Sequence, residues 1–139
     1  MPENSAQIDT IAAFLRRQAT VRFAYLFGSR ARGDAGRLSD IDIAVFLDPG
    51  LDLFTCRLQL MEQLAVTLHS DRFDLVVLND APTTLRYEVI RDGRVLKEDK
   101  PLRVDFETGV LRSYLDTAPL RKTQQAYLRQ QLAGERNHG

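Results

Sequence analysis

At 139 residues the chain suits one domain with a core of its own. A formal net charge of +0 removes the basic excess of a dedicated nucleic-acid binder, so no stable nucleic-acid binding is expected. A single cysteine, Cys56, rules out an intrachain disulfide and a cysteine-rich zinc site.

The opening "MPENSAQIDTIAAFLRRQ" has acids first and arginines last, the reverse of a secretory leader. No apolar run approaches the ~20 residues of a membrane helix. A cytoplasmic protein with no membrane partner is the expectation. Within that opening, Ile8, Ile11, Ala12, Phe14 and Leu15 share a helical face, with Ser5 as N-cap. "VRFAYLFG" then alternates like a strand ending at Gly28, and "IDIAVFLD" is a second strand closed by the turn Asp48-Pro49-Gly50. From Leu51 to about His69, apolar positions Leu53, Leu60, Leu64 and Leu68 predict a long amphipathic helix. "FDLVVLND" is a third strand, stopped by Asn79-Asp80. "TTLRYEVIRDG" reads as a short helix ending at Gly93, and "RVLKED" as a short fourth strand. After Pro101 the chain is helical to about Leu132, broken near Pro119, with a fraying end. The alternation predicts one α/β domain: a mixed sheet of about four strands covered by helices, core about 5–99, with a helical C-terminal extension about 101–132.

The chemistry lies in "FGSRARGDAGRLSDIDIAVF". Gly28 has no Cβ and lets the backbone approach an anion closely. With the Ser29 hydroxyl and the first N–H groups of a following turn, it outlines an anion site or a plain strand-end turn; if the first, Gly28 and Ser29 should act on nucleotide binding rather than on folding. Asp40 and Asp42, two apart on a strand, share one face while Ile41 and Ile43 face a core. Paired carboxylates repel unless a cation compensates them, and all-oxygen donors favour magnesium or manganese over zinc. Asp74, opening the third strand, joins them if that strand lies alongside. Three carboxylates at adjacent strand ends match a two-metal in-line nucleotidyl displacement. Arg30 and Arg32 are candidates to neutralise phosphate charge, or surface ion-pair partners.

Ten residues, Arg30 to Ser39, separate Gly28-Ser29 from Asp40-Ile41-Asp42. This pattern, with Asp74 on a later strand, resembles the nucleotidyltransferase superfamily built on a DNA polymerase beta-like fold. At this length the chain is similar to its minimal nucleotidyltransferases (MNT), antitoxins encoded beside HEPN toxins. The resemblance implies that Gly28 and Ser29, with Arg30, hold the triphosphate of ATP. It implies that Asp40, Asp42 and Asp74 are catalytic and bind two Mg2+ ions, with Mn2+ able to substitute. It further implies transfer of AMP to a tyrosine of a cognate HEPN RNase toxin, which silences the toxin. Two other functions stay open: transfer to a small molecule, as in aminoglycoside-modifying relatives, and a non-catalytic antitoxin acting by binding. A last feature bears on a partner. Leu111, Leu115, Leu120, Tyr127, Leu128 and Leu132 either cover the sheet or form a docking surface.

Overall fold

The computed structural model describes residues 2–28 and 40–138, with side chains from 5–28 and 40–133. In chain order it gives α1 (Pro2–Arg16), β1 (Val21–Phe27), β2 (Ile41–Leu47), α2 (Leu53–Leu68), β3 (Phe73–Val77), a single 3-10 turn (Leu78–Asp80), α3 (Thr83–Asp92), β4 (Arg94–Lys97), α4 (Lys100–Asp116) and α5 (Ala118–His138). The strand order is β3-β2-β1-β4. β1 is antiparallel to β2 and β4, whereas β2 and β3 are parallel and are joined through α2, since parallel neighbours need a crossover.

Helices cover both faces of this mixed, four-stranded sheet. On one face Ile11 and Leu15 of α1 and Leu60 and Leu64 of α2 pack on Ile43, Val45, Leu47 and Leu75. On the other, Phe23, Tyr25, Phe27 and Ala44 lie beneath Val89 of α3, with Leu102 and Phe106 of α4 packed against them. A strand covered on both sides has no reason to alternate, and β1 is buried at every position except Arg22. The alternation expected for "VRFAYLFG" is therefore absent.

Local chemistry sets most element ends. Asp52 caps α2, accepting from Thr55 N at 3.3 Å, and His69 ends it in the left-handed region, φ 53. The Asn79 side chain brackets the end of β2, donating to Leu47 O and accepting from Leu47 N, both at 2.9 Å. Gly93 ends α3 because a Cβ there would collide with Val89 O and press on the Tyr25 ring. Two ends differ from expectation. Ser5 is no N-cap but lies inside α1, which starts at Pro2; a fixed proline φ and a missing N–H suit a first turn. The helical break falls at Thr117, with Pro119 in the first turn of α5, and that helix continues past Leu132 to His138.

α4 is divided in its attachments. Its first half is fastened to the sheet by Phe106, whose ring centroid lies 5.4 Å from that of Phe23 and 5.5 Å from that of Phe46. The Tyr25 hydroxyl donates to Glu107 Oε1 at 2.6 Å. Arg103 clamps Glu107 at 2.8 Å and also bonds both oxygens of Glu98. Burial, and then the Glu107 carboxylate, push the Tyr25 hydroxyl pKa well above the ordinary tyrosine value. Beyond Val110, by contrast, α4 and α5 turn apolar side chains outward: Leu115 is 70% exposed, and Leu120, Tyr127, Leu128 and Leu132 are 56–59% exposed. Arg121, 3.5 Å above the Tyr114 ring, and the Tyr114–Tyr87 stack at 3.7 Å tie the start of α5 to α4 and α3.

Candidate active site

β2 and β3 run side by side in parallel, with Asp42 and Asp74 as register partners. Their neighbours Ile41, Phe73, Ile43 and Leu75 are buried in the core beneath α1 and α2, so both carboxylates stand on the opposite face. Adjacent strands are only about 4.8 Å apart. Two like charges at that spacing repel unless a cation or a donor lies between them. The apolar alternation of β2 and β3 thus dictates which face holds the acids, and the pairing register dictates that they meet.

Asp42 is flanked on its other side by β1, where Phe27 is its antiparallel partner. Gly28 follows with φ +75. A Cβ at Gly28 would collide with Asp42 Oδ2 and lie 3.1 Å from Asp42 Cγ. This glycine therefore has a structural task as well as the expected ligand-side one. It takes a left-handed turn that L side chains rarely adopt, and it leaves room for the carboxylate. The expectation that Gly28 acts on binding rather than on folding is corrected accordingly. Across the sheet the groups stand in line: Asp74 on β3, Asp42 on β2, Gly28 at the end of β1.

Asp40 sits one residue before β2, exposed, with its Oδ1 3.5 Å from Arg72 Nε. Arg72 also accepts a backbone hydrogen bond from Ile41 N at 3.3 Å, which starts the β2–β3 pairing. Among the described residues no three histidine, cysteine or acidic side chains converge tightly enough to hold a metal. Asp42 and Asp74 form a facing pair, while Asp40, two residues earlier, points its carboxylate at Arg72. Exposed ion pairs are worth little in water, so the Arg72 contact is a weak restraint on Asp40. Ser29, Arg30 and Arg32 lie outside the described residues. In chemical type the carboxylates of Asp42 and Asp74 are hard oxygen donors, the kind that magnesium and manganese take.

Beside Asp74 an open cleft of about 430 Å³ runs along the outer edge of β3. Leu53, Phe54 and Arg57 of α2 form one wall, and Asp80, Pro82 and Leu85 form the other. Arg57 Nε donates to Leu75 O at 2.9 Å and so caps one carbonyl of this edge strand. Sequence reasoning named Asp80 only as a strand stop and passed over Phe54, Arg57 and Arg72. Phe54 had a readable signal, an aromatic residue off the Leu53-Leu60-Leu64 stripe of its helix.

A glycine turn thus closes on one of two facing strand-end carboxylates, an arrangement with room for a phosphate beside a hard cation. Residues 9–102 match the family model described as Polymerase beta, Nucleotidyltransferase. The chain belongs to that family, among its minimal, MntA-type members. The protein adenylyltransferase MntA of Aphanizomenon flos-aquae is 31% identical over 114 residues, 74% of this chain and 75% of that protein. The MntA of Shewanella oneidensis is 43% identical over 76 residues, 55% of this chain; the match spans about half of that relative, 53%. A crystal structure of a toxin-antitoxin with AMP-PNP has a TM-score of 0.70 and 32% identity, covering 90% of this chain and 98% of its own. The MNT antitoxin in complex with a tri-AMPylated Shewanella oneidensis HEPN toxin gives 0.67 and 29%, covering 93% and 98%.

Proposed function

We propose that this chain is an antitoxin that transfers AMP from ATP to a tyrosine hydroxyl of a cognate HEPN RNase toxin and so silences it. The observation that carries the reading is the in-register pair Asp42 and Asp74 with Gly28 closing on Asp42. The named relatives are protein adenylyltransferases, and similar solved chains are toxin-antitoxin complexes.

In the proposed reaction the tyrosine oxygen attacks the α-phosphorus of ATP. The new O–P bond forms as the bond from the α-phosphorus to the bridging oxygen of the β-phosphate breaks. Pyrophosphate leaves with that electron pair, and the hydroxyl proton passes to Asp74. Asp40, Asp42 and Asp74 would hold two Mg2+ ions, which when bound neutralise phosphate charge and lower the pKa of the attacking hydroxyl. Gly28 and Ser29 hold the triphosphate against Asp42, with Arg30 in support. Bringing the acceptor to this point is where much of the rate arises, and the outward apolar residues of α4 and α5 provide the docking surface for the toxin. No described helix is long and apolar enough to cross a membrane.

The test is incubation of chain and toxin with α-labelled ATP, with magnesium and with chelator. Label on a toxin tyrosine only in the presence of metal is the expected result. Unlabelled toxin with magnesium present would refute the reading.

A further inference from the structure

An in-line displacement requires the attacking oxygen and the departing pyrophosphate to lie on opposite sides of the α-phosphorus. On the proposed reading the triphosphate is held at Gly28, on the β1 side of Asp42. The nucleophile must therefore arrive from the β3 side, past Asp74. There the cleft between the start of α2 and the outer edge of β3 opens, with Asp74 in its lining. Its volume of about 430 Å³ falls in the range of roughly 300–1,000 Å³ typical of ligand sites.

Its described lining offers phosphate little: beside the acids Asp74 and Asp80 stands one cation, Arg57, and that guanidinium is engaged with Leu75 O. A surface with an acidic balance repels a triphosphate and favours a neutral or basic guest. Its apolar part, Leu53, Phe54, Pro82 and Leu85, suits an aromatic or aliphatic side chain. Phe54 is 69% exposed, an arrangement that does nothing for the packing of α2 and leaves a ring face for a guest.

We propose that this cleft is the acceptor subsite: it receives a neutral-to-basic polypeptide segment, seats an apolar or aromatic side chain of it against Phe54, Pro82 and Leu85, and delivers its hydroxyl to Asp74. The proposal rests on the adenylyl-transfer reading and adds where the acceptor binds and which residues select it. Phe54 and Asp80 act by positioning and selection; neither touches the reacting phosphorus.

The experiment uses Phe54→Ala and Asp80→Arg in the full chain. AMP transfer is measured at varied concentrations of the HEPN toxin, and magnesium-ATP affinity by calorimetry. The KM for toxin should rise about tenfold in each variant, with kcat at saturating toxin and ATP affinity within twofold of the parent. Weakened ATP binding with an unchanged KM for toxin would make the cleft a nucleotide subsite and overturn the proposal. Unchanged KM and unchanged ATP affinity would overturn it as well. A photo-crosslinker at position 54 provides a readout independent of catalysis. A crosslink to a toxin segment containing a tyrosine supports the cleft as acceptor subsite even if the parent chain transfers no AMP, an outcome that would refute the adenylyl-transfer reading alone. Absence of any crosslink in the formed complex would count against the cleft.

Discussion

The sheet and the C-terminal arm use the same apolar residues in opposite ways. In β1–β3 nearly every leucine, isoleucine and valine is buried, and Asp42 and Asp74 are among the few side chains left off that pattern, with Arg22, Phe46 and Val76. Along the end of α4 and in α5, Leu111, Leu115, Leu120, Leu128 and Leu132 are turned outward. Burying such a side chain stabilises by about 1.5–3 kcal/mol. The sheet takes that stabilisation within the chain and can therefore tolerate two facing acids. The arm forgoes it until something covers α5. On the proposed reading one region serves a reaction and the other a partner, so a substitution should disable either one alone.

The largest effect should come from Asp42→Asn. Transfer should fall by at least about a hundredfold, the scale for losing a principal electrostatic stabiliser of a transition state. The rise in melting temperature with magnesium-ATP, a ligand-linkage effect, should vanish while toxin still co-purifies. A retained rise would remove Asp42 from the metal ligands. The complementary break is Leu128→Glu with Leu132→Glu. Both positions are exposed, so melting and ATP affinity should hold. Toxin binding should weaken by about 2 kcal/mol or more if these leucines are interface anchors, roughly thirtyfold. Gel filtration of the mixed proteins reads this directly, and an intact complex would place docking elsewhere.

Legibility in the sequence followed the same divide. Asp42 and Asp74 could be read because strand period and apolar flanks fix which way a side chain points, and pairing then needs only the parallel crossover through α2. Asp40 was legible as a residue but not in its surroundings: its Arg72 contact comes from the β2–β3 junction, where two distant segments meet. Phe54, Arg57 and Asp80 come from three separate elements, and no local spacing announces a cleft between them. The outward stripe on α4 and α5 left two readings open, since a helical face shows that it is apolar without showing what covers it. Phe106 packs against the sheet and Val110 is the buried residue of α4, so the sheet side was already covered.

Two smaller tests sharpen the sheet side of the comparison. Gly28→Val forces a β-branched residue into φ +75 against Asp42. It should cost about 1–2 kcal/mol of stability by the left-handed backbone penalty, seen as a lower urea midpoint, and ATP binding should weaken with it. Unchanged stability with ATP binding lost would return this glycine to a purely ligand-side role. The least effect is expected at alkaline pH. The folded chain keeps Tyr25 protonated through burial and Glu107, while the unfolded chain releases that proton near pH 10. Stability should therefore fall as pH rises beyond about 10, and Tyr25→Phe should remove part of that fall in urea melts at pH 9 and 11.

The claim that this chain acts by chemistry, and not by docking alone, is tested most directly on the toxin itself. Toxin co-expressed with the parent chain or with Asp74→Asn would be separated from its partner, then examined by intact mass and by RNase activity. The account predicts toxin bearing AMP on a tyrosine and inactive after separation from the parent chain. From Asp74→Asn it predicts toxin that co-purifies yet is unmodified and regains activity once released. Unmodified, fully active toxin recovered from the parent chain would contradict it, leaving protection by binding alone.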